Sequence, residues 1–498
     1  MFCISLCICH FKNNPAHDIY LYLIESTIKI LRTYYGRLFI QTKLQKFNVS
    51  LVINESSFQY ANLPNQGEVK MKENAELEFK PEPDTLNPID VKERVQVIDV
   101  LRGIAVLGIL LMNMKDFSFP TDYTSFWDEM HTGTLDQGIR LLLRLFAEGK
   151  FYTLFSFLFG LGMAVMLVRS KTSGRKFTPL YMKRLFVLLI IGFVHDIFIW
   201  NGLILIDYAI LGFVLLLFQN RKQKTILIWM AVLYFVPLLL AAAFFTFSSK
   251  LDKPEGPEAI AKAEAASDST RAINREKLDQ QLELFGNGGY LDMVEFRMKE
   301  AWKPFAAALG LGWYVLLMFL AGYISWQKGW FQDINKHKPV FKKAVLLGLL
   351  AGIAGSFLYI IFRAVPDDPS QRMRGIGYAS LLFFGNPGFC LFYISGLTLL
   401  LNKIKWNKFI AALAAVGRTA LSNYILQSII GSLIFYSYGL GMFGKTSPIQ
   451  NLLLTFAVFA VQLPVSVWWL SRFRFGPVEW LWRSLTYGRM QPMVKEKN

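Results

Sequence analysis

His195 and Asp207 stand six residues on either side of Asn201 in the segment Phe193 to Ala209, whose turn is Asn201-Gly202. If both arms are helical and antiparallel, the two side chains reach similar depth, about 9 Å below the turn at 1.5 Å per residue. A histidine–carboxylate contact is then open to them, and Asp196 is a second candidate partner. Such a group has the parts of a general base, because the carboxylate fixes the imidazole tautomer and favours its charged form. The alternative is a buried polar clasp that holds the hairpin together without moving a proton.

Asp99, Arg102 and Asn113 lie in the apolar run Val97 to Asn113. At about 100° per residue they fall within roughly a 60° arc of one helix face, shared with Val106 and Leu110. Lipid would leave the guanidinium unpaired, so this face points into the protein, where Asp99 sits one turn from Arg102 and can pair with it. Arg418 lies near the same level, at the start of the run Gly417 to Ser428, in which Thr419, Asn423 and Gln427 recur at i,i+4 as a hydrogen-bonding stripe. Two arginines at one level suit a phosphate-bearing donor such as an acyl-CoA, since guanidinium matches phosphate bidentately. Anchoring of a lipid phosphate is the competing reading. Asp99, Arg102, Asn113, Arg418 and Asn423 form the expected binding set, and His195, Asp207 and Asp196 the expected catalytic set.

The elements that position these residues are read from hydropathy. The chain has 498 residues, 53% of them hydrophobic and only 18% charged. Ten apolar runs approach the ~20 residues that cross a bilayer, at about 98–114, 151–168, 185–200, 203–218, 225–247, 305–326, 344–362, 378–401, 412–438 and 449–470. The fold class expected is an all-α, polytopic integral membrane protein with about ten transmembrane helices. The formal net charge of +17 is concentrated in alternate loops, such as Arg169 to Arg184, Arg221 to Lys224 and Lys336 to Lys343. By the positive-inside rule both ends of the core are cytoplasmic, and the basic residues are topology determinants, with no nucleic-acid partner expected. Membrane lipid is the expected surrounding partner. Three of the four cysteines crowd the extreme N-terminus, and no Cys/His spacing of a zinc site occurs, so no metal is expected.

Residues 1–70 read as an N-terminal extension unlike the rest, and Met71 followed by Lys72-Glu73-Asn74 reads as a natural start, with 71–96 a disordered cytoplasmic leader. The expected organisation continues with a five-span bundle at 97–247, an extracytoplasmic helical loop at 248–304, a five-span part with an interfacial helix at 305–490, and a basic tail at 491–498. In the loop, a helix is expected from Pro257 to Phe285, a break at Gly286 to Gly289 and a second helix from Tyr290 to Trp302, serving as a solvated connector or as a lid over an outward cavity. Gly160, Gly162, Gly348 and Gly352 suit close helix packing. Trp480, Trp482 and Arg483 suit a membrane-surface anchor.

These motifs in this order resemble the YeiB family of bacterial inner-membrane proteins, whose C-terminal half is a domain of unknown function 418. The carriers are Asp99-Val100-Leu101-Arg102-Gly103 with Asn113, Lys150-Phe151 with Leu154 to Gly160, His195, Trp200, Gly202 and Tyr208-Ala209, then Gly417 to Tyr424 and Gly476 to Arg483. One departure stands out. The family usually has Gly-Asp-Ile-Leu in the hairpin, where this chain has Gly202-Leu203-Ile204-Leu205, and Asp207, one turn further on, is the expected substitute. The first-span pattern resembles, distantly, membrane acyltransferases related to heparan-α-glucosaminide N-acetyltransferase. That resemblance implies transfer of an acyl group from a cytoplasmic donor to an envelope glycan or lipid, with Arg102 and Arg418 holding the donor and His195, with Asp207 or Asp196, activating the acceptor. A proton-coupled transporter or exporter using the same histidine and acids is the alternative. The expected arginine and histidine levels differ, so either the donor's acyl arm threads the bundle or the two sites are unrelated.

Overall fold

All ten apolar runs fall on helix in the computed structural model, which describes residues 96–172, 174, 176–251, 257–363 and 372–495. The expected extension 1–70 and the leader 71–95 lie outside the described residues. Helix α1 (Gln96–Ser118) is followed by the short α2 (Thr124–Met130) and α3 (Thr134–Phe146), then by α4 (Lys150–Thr172) and the hairpin of α5 (Phe177–Phe198) and α6 (Ile204–Leu215). Helix α7 (Gln223–Leu251) leads to α8 (Pro257–Asn287) and α9 (Tyr290–Glu300). The second half holds α10 (Lys303–Gln327), α11 (Lys338–Arg363), α12 (Arg372–Ser380), α13 (Asn386–Leu401), α14 (Lys408–Arg418), α15 (Ala420–Phe435), α16 (Pro448–Arg472) and α17 (Pro477–Tyr487). Among the described residues the one strand-like pairing is an isolated antiparallel bridge between Phe473 and Val494. This is an all-α polytopic membrane protein.

Among the described residues, eight helical segments are long and apolar enough to cross a membrane. The other two expected spans depart from that form. Helix α6 and the 3-10 turn Leu216–Phe218 together measure about 23 Å, short of the ~30 Å hydrocarbon layer. The run 412–438, read as one continuous span, is broken at Thr419 into α14 and α15, whose axes differ by 83°. The break frees the first N–H groups of α15, and Glu479 on α17 takes them: Oε1 accepts from Leu421 N at 2.7 Å and from Ser422 N at 3.1 Å, while Oε2 accepts from Ser422 Oγ. A carboxylate at a helix N-terminus also complements the helix dipole. Desolvation pushes the Glu479 carboxyl above its ordinary range, opposed by these hydrogen bonds.

Glycine sets the closest helix crossings. A Cβ on Gly103 of α1 would fall on the carbonyl oxygen of Leu413, and one on Gly417 of α14 on that of Asp99. The two backbones are therefore in contact, which no larger residue permits at either position. Gly160 meets Phe319 of α10 in the same way, and Gly348 and Gly352 meet α13, as the sequence suggested. Gly162 differs, because its nearest neighbour is the Arg102 guanidinium.

The connecting segment is mostly exposed along α8 up to Lys277, as a solvated connector would be, and packs on the bundle from Leu278 onward. Leu278, Phe285, Met293, Val294 and Arg297 are buried, Tyr290 Oη donates to Phe198 O at 2.8 Å, and Ser437 N donates to Phe285 O at 3.0 Å. Helix α17 likewise turns its aromatic residues inward: Trp482 Nε1 donates to Arg184 O at 2.8 Å, and Trp480 Nε1 donates to Gln491 O at 2.7 Å. Leu481 and Leu485, which are exposed, form its outer face instead.

Candidate functional site

A cavity of about 340 Å³ lies between α1, α4, α5, α14, α15 and α17. Six arginines border it, Arg102, Arg169, Arg184, Arg418, Arg474 and Arg483, against two carboxylates, Asp99 and Glu479. The Gly103–Gly417 contact explains why Arg102 and Arg418 border the same space: each is the neighbour of a glycine in the α1–α14 crossing. Arg102 Nη1 pairs with Asp99 Oδ1 at 3.3 Å, as the sequence indicated, yet stays one-third exposed. Arg184 lies flat over the Trp482 ring at 3.6 Å, and Arg483 over Phe475 at 4.7 Å. The rest of the wall is apolar or aromatic, with Val106, Phe159, Leu188 and Leu205 leading to Tyr208 and Tyr424.

His195 occupies a second, drier place. It is eleven residues beyond Arg184, about 16 Å further along α5. The imidazole is 1% exposed, and its ring centre is 5.2 Å from that of Tyr424. Its Nε2 is 2.9 Å from Ser428 Oγ. Ser428 Oγ also lies 3.2 Å from Tyr424 O; with its one proton directed there, its oxygen accepts from Nε2–H. That leaves His195 Nδ1 as a lone-pair nitrogen, and it has no hydrogen-bond partner.

The expected histidine–carboxylate hydrogen bond is absent. Gly192 faces α6, where a Cβ would meet Leu205 and Ile206, and His195, three residues on, is turned about 60° from that face toward α15. Asp196 and Asp207 are both buried, each with an Oδ1 that has no partner, and they lie within electrostatic reach of each other and of Tyr424. Two expected binding residues do not border the cavity. Asn113 is eleven residues, about 16 Å, above Arg102 on α1. Asn423 is consumed by helix packing, with Nδ2 donating to Thr419 Oγ1 at 2.8 Å and to Ser466 Oγ of α16 at 3.0 Å, while Gln427 Nε2 donates to Gln462 Oε1 at 2.8 Å.

Sequence reasoning missed several members of the site. Arg169 and Arg184 were counted only as topology signals, and Arg483 with Trp482 as an anchor. Tyr424, which lines the cavity and stacks beside His195, and Ser428, which fixes its tautomer, fell inside a quoted motif without a role. Arg297 of α9 gave no sequence signal, being one of many charges in an alternating segment. The structure buries it completely, near His195 and Asp196.

The arrangement was compared with known proteins. Residues 325–489 match the family model described as a protein of unknown function (DUF418). The uncharacterised protein YxaH of Bacillus subtilis is 36% identical over 433 residues, covering 83% of this chain and 99% of that protein. The uncharacterised protein YeiB of Escherichia coli is 28% identical over 425 residues, covering 81% and 99%. The chain belongs to the YeiB family. An uncharacterised 39.9 kDa protein from the amylase 3′ region of Bacillus acidopullulyticus is a further relative, 26% identical over 426 residues, covering 83% of this YeiB-family chain and 99% of its own length. No solved structure matches the chain.

Proposed function

We propose that this YeiB-family protein is a transmembrane acyltransferase that takes an acyl group from a cytoplasmic acyl-CoA and passes it to an envelope sugar or lipid across a bacterial inner membrane. One observation carries the reading: the arginine-bordered cavity continues along an apolar wall to Tyr424, whose ring lies beside His195. Thioester donors have this polarity, with phosphates at one end and an apolar arm at the other. A volume near 340 Å³ falls at the low end of the ~300–1,000 Å³ of small-molecule sites. It suits the pantetheine arm, with the nucleotide left among the arginines. Of the two sites the sequence placed at different depths, the cavity reaches the second only through Tyr424, since His195 does not itself border it.

In this mechanism the acceptor hydroxyl gives its proton to His195 Nδ1 as its oxygen bonds to the thioester carbonyl carbon. The carbon–sulfur bond breaks, and the imidazolium returns the proton to the leaving thiolate. Binding of acetyl-CoA to the purified protein in detergent, followed by calorimetry, tests the reading. Saturable binding that is lost in Arg102→Ala and Arg418→Ala is expected. A folded wild-type protein that takes up no acetyl-CoA overturns it. The buried Asp196 and Asp207, each with an unpartnered oxygen, favour a proton-coupled transporter as the second reading, which a proton-dependent flux in sealed vesicles would reveal.

A further inference from the structure

Arg297 is the largest fully buried side chain of the described residues, 0% exposed, and its Nε, Nη1 and Nη2 make no well-formed hydrogen bond, with only a looser polar contact to the Tyr436 side chain. Its guanidinium lies 5.3 Å from the Tyr436 ring centre and 5.9 Å from that of Phe285, in an aromatic box that Phe443 and Phe296 extend. Ring faces attract the cation but leave its N–H groups unsatisfied, and a buried unpaired charge is strongly destabilising. Such a group persists where something absent from the free protein completes it. Two further orphans, His195 Nδ1 and Asp196 Oδ1, lie in the last turn of α5, on which α9 docks through the Tyr290 Oη to Phe198 O hydrogen bond. Both are acceptors that want a hydrogen-bond donor, and the guanidinium wants an oxyanion.

We propose that Arg297, His195 and Asp196 form a binding site for an oxyanion that carries neighbouring hydroxyls, with Arg297 holding the oxyanion and His195 Nδ1 and Asp196 Oδ1 each accepting from a different hydroxyl. As the acceptor site of the transfer this rests on the acyltransferase reading, whereas as an oxyanion site it does not. Phosphoglycerol and uronate groups share this chemistry. Helix α9 brings the arginine in, and another side of it exposes Leu291 and Met298 at i and i+7, followed by the exposed Trp302 just beyond its end. An apolar stripe of that spacing suits a helix lying in the membrane interface, so the phosphoglycerol headgroup of a lipid is the source the geometry favours.

The test is calorimetry of the full-length protein in detergent with glycerol phosphate, glucuronate and, as the neutral control, glycerol. Wild type should bind the two anions saturably and ignore glycerol. Arg297→Met should lose about 30-fold or more in anion affinity while eluting as wild type from a sizing column. Should Arg297→Met fail to accumulate, Arg297→Lys keeps the charge without the fork and should bind several-fold more weakly. Phosphatidylglycerol nanodiscs that block glycerol phosphate, where phosphatidylcholine nanodiscs do not, identify the lipid headgroup, and equal uptake in both identifies a soluble ligand of the same site. No anion binding by wild type, or unaltered binding by the folded variants, overturns the proposal. Acetyl-CoA binding on the same samples separates the two readings: anion binding without it removes the acyltransferase and keeps this site, and Arg297→Met should retain it.

Discussion

Ser428, not a carboxylate, orients His195. With the single proton of Ser428 directed to Tyr424 O, Nε2 carries hydrogen and Nδ1 is the free base nitrogen. His195→Ala should abolish acyl transfer while the protein still inserts and accumulates, which membrane fractionation and a radiolabelled-acyl assay would show together. Ser428→Ala should lower the rate by roughly 10–100-fold, the usual effect of losing an orienting partner, without altering acetyl-CoA affinity. Equal rates for Ser428→Ala and wild type would remove the tautomer from the mechanism. Glu479 offers a prediction in pH. Its carboxyl is held above the ordinary glutamate range of about 4.3. The folded chain therefore binds that proton more tightly than the unfolded chain, and stability falls as pH rises from the ordinary range through the raised value. Glu479→Gln should flatten this part of the thermal-midpoint curve.

At the scale of elements, the α1–α14 crossing does the positioning. Gly103 and Gly417 each stand where a Cβ would strike a partner carbonyl, so Gly103→Leu must force the helices apart. Overpacking of this kind costs about 1–3 kcal/mol or more. It should also separate Arg102 from Arg418, so acetyl-CoA binding should weaken together with the thermal midpoint. A leucine variant with wild-type affinity would show that the two guanidinium groups do not act as a unit. The break at Thr419 is equally specific: it ends α14 at Arg418, exposes the start of α15, and lets Glu479 tie α17 to that start.

For the whole molecule, the alternation of basic loops predicts which ends share a compartment. Asp268 on α8 and Lys405 between α13 and α14 are both exposed. Asp268→Cys should react with a membrane-impermeant thiol reagent in intact cells, whereas Lys405→Cys should react only after permeabilisation. Labelling of both in intact cells would overturn the assigned orientation. The same arrangement puts the arginine cavity and the Arg297 site at opposite ends of α5, with Tyr424 between them.

Composition and hydropathy were enough to determine an all-α membrane protein, the positions of its helices, the Asp99–Arg102 pair and the small residues at Gly160, Gly348 and Gly352. These are properties of one helix at a time: burial cost, periodicity and i,i+3 spacing act locally and are written in the order of residues. The sequence could not show that Thr419 breaks a span, that Asn423 is spent on Ser466, or that Asn113 stands apart from Arg102's cavity. Nor could it pair His195 with Ser428, 233 residues away, or draw Arg297 out of a charged connecting segment into an aromatic box. Those outcomes depend on which helix faces meet and by how many degrees each is turned, which only the packing of distant segments against one another decides.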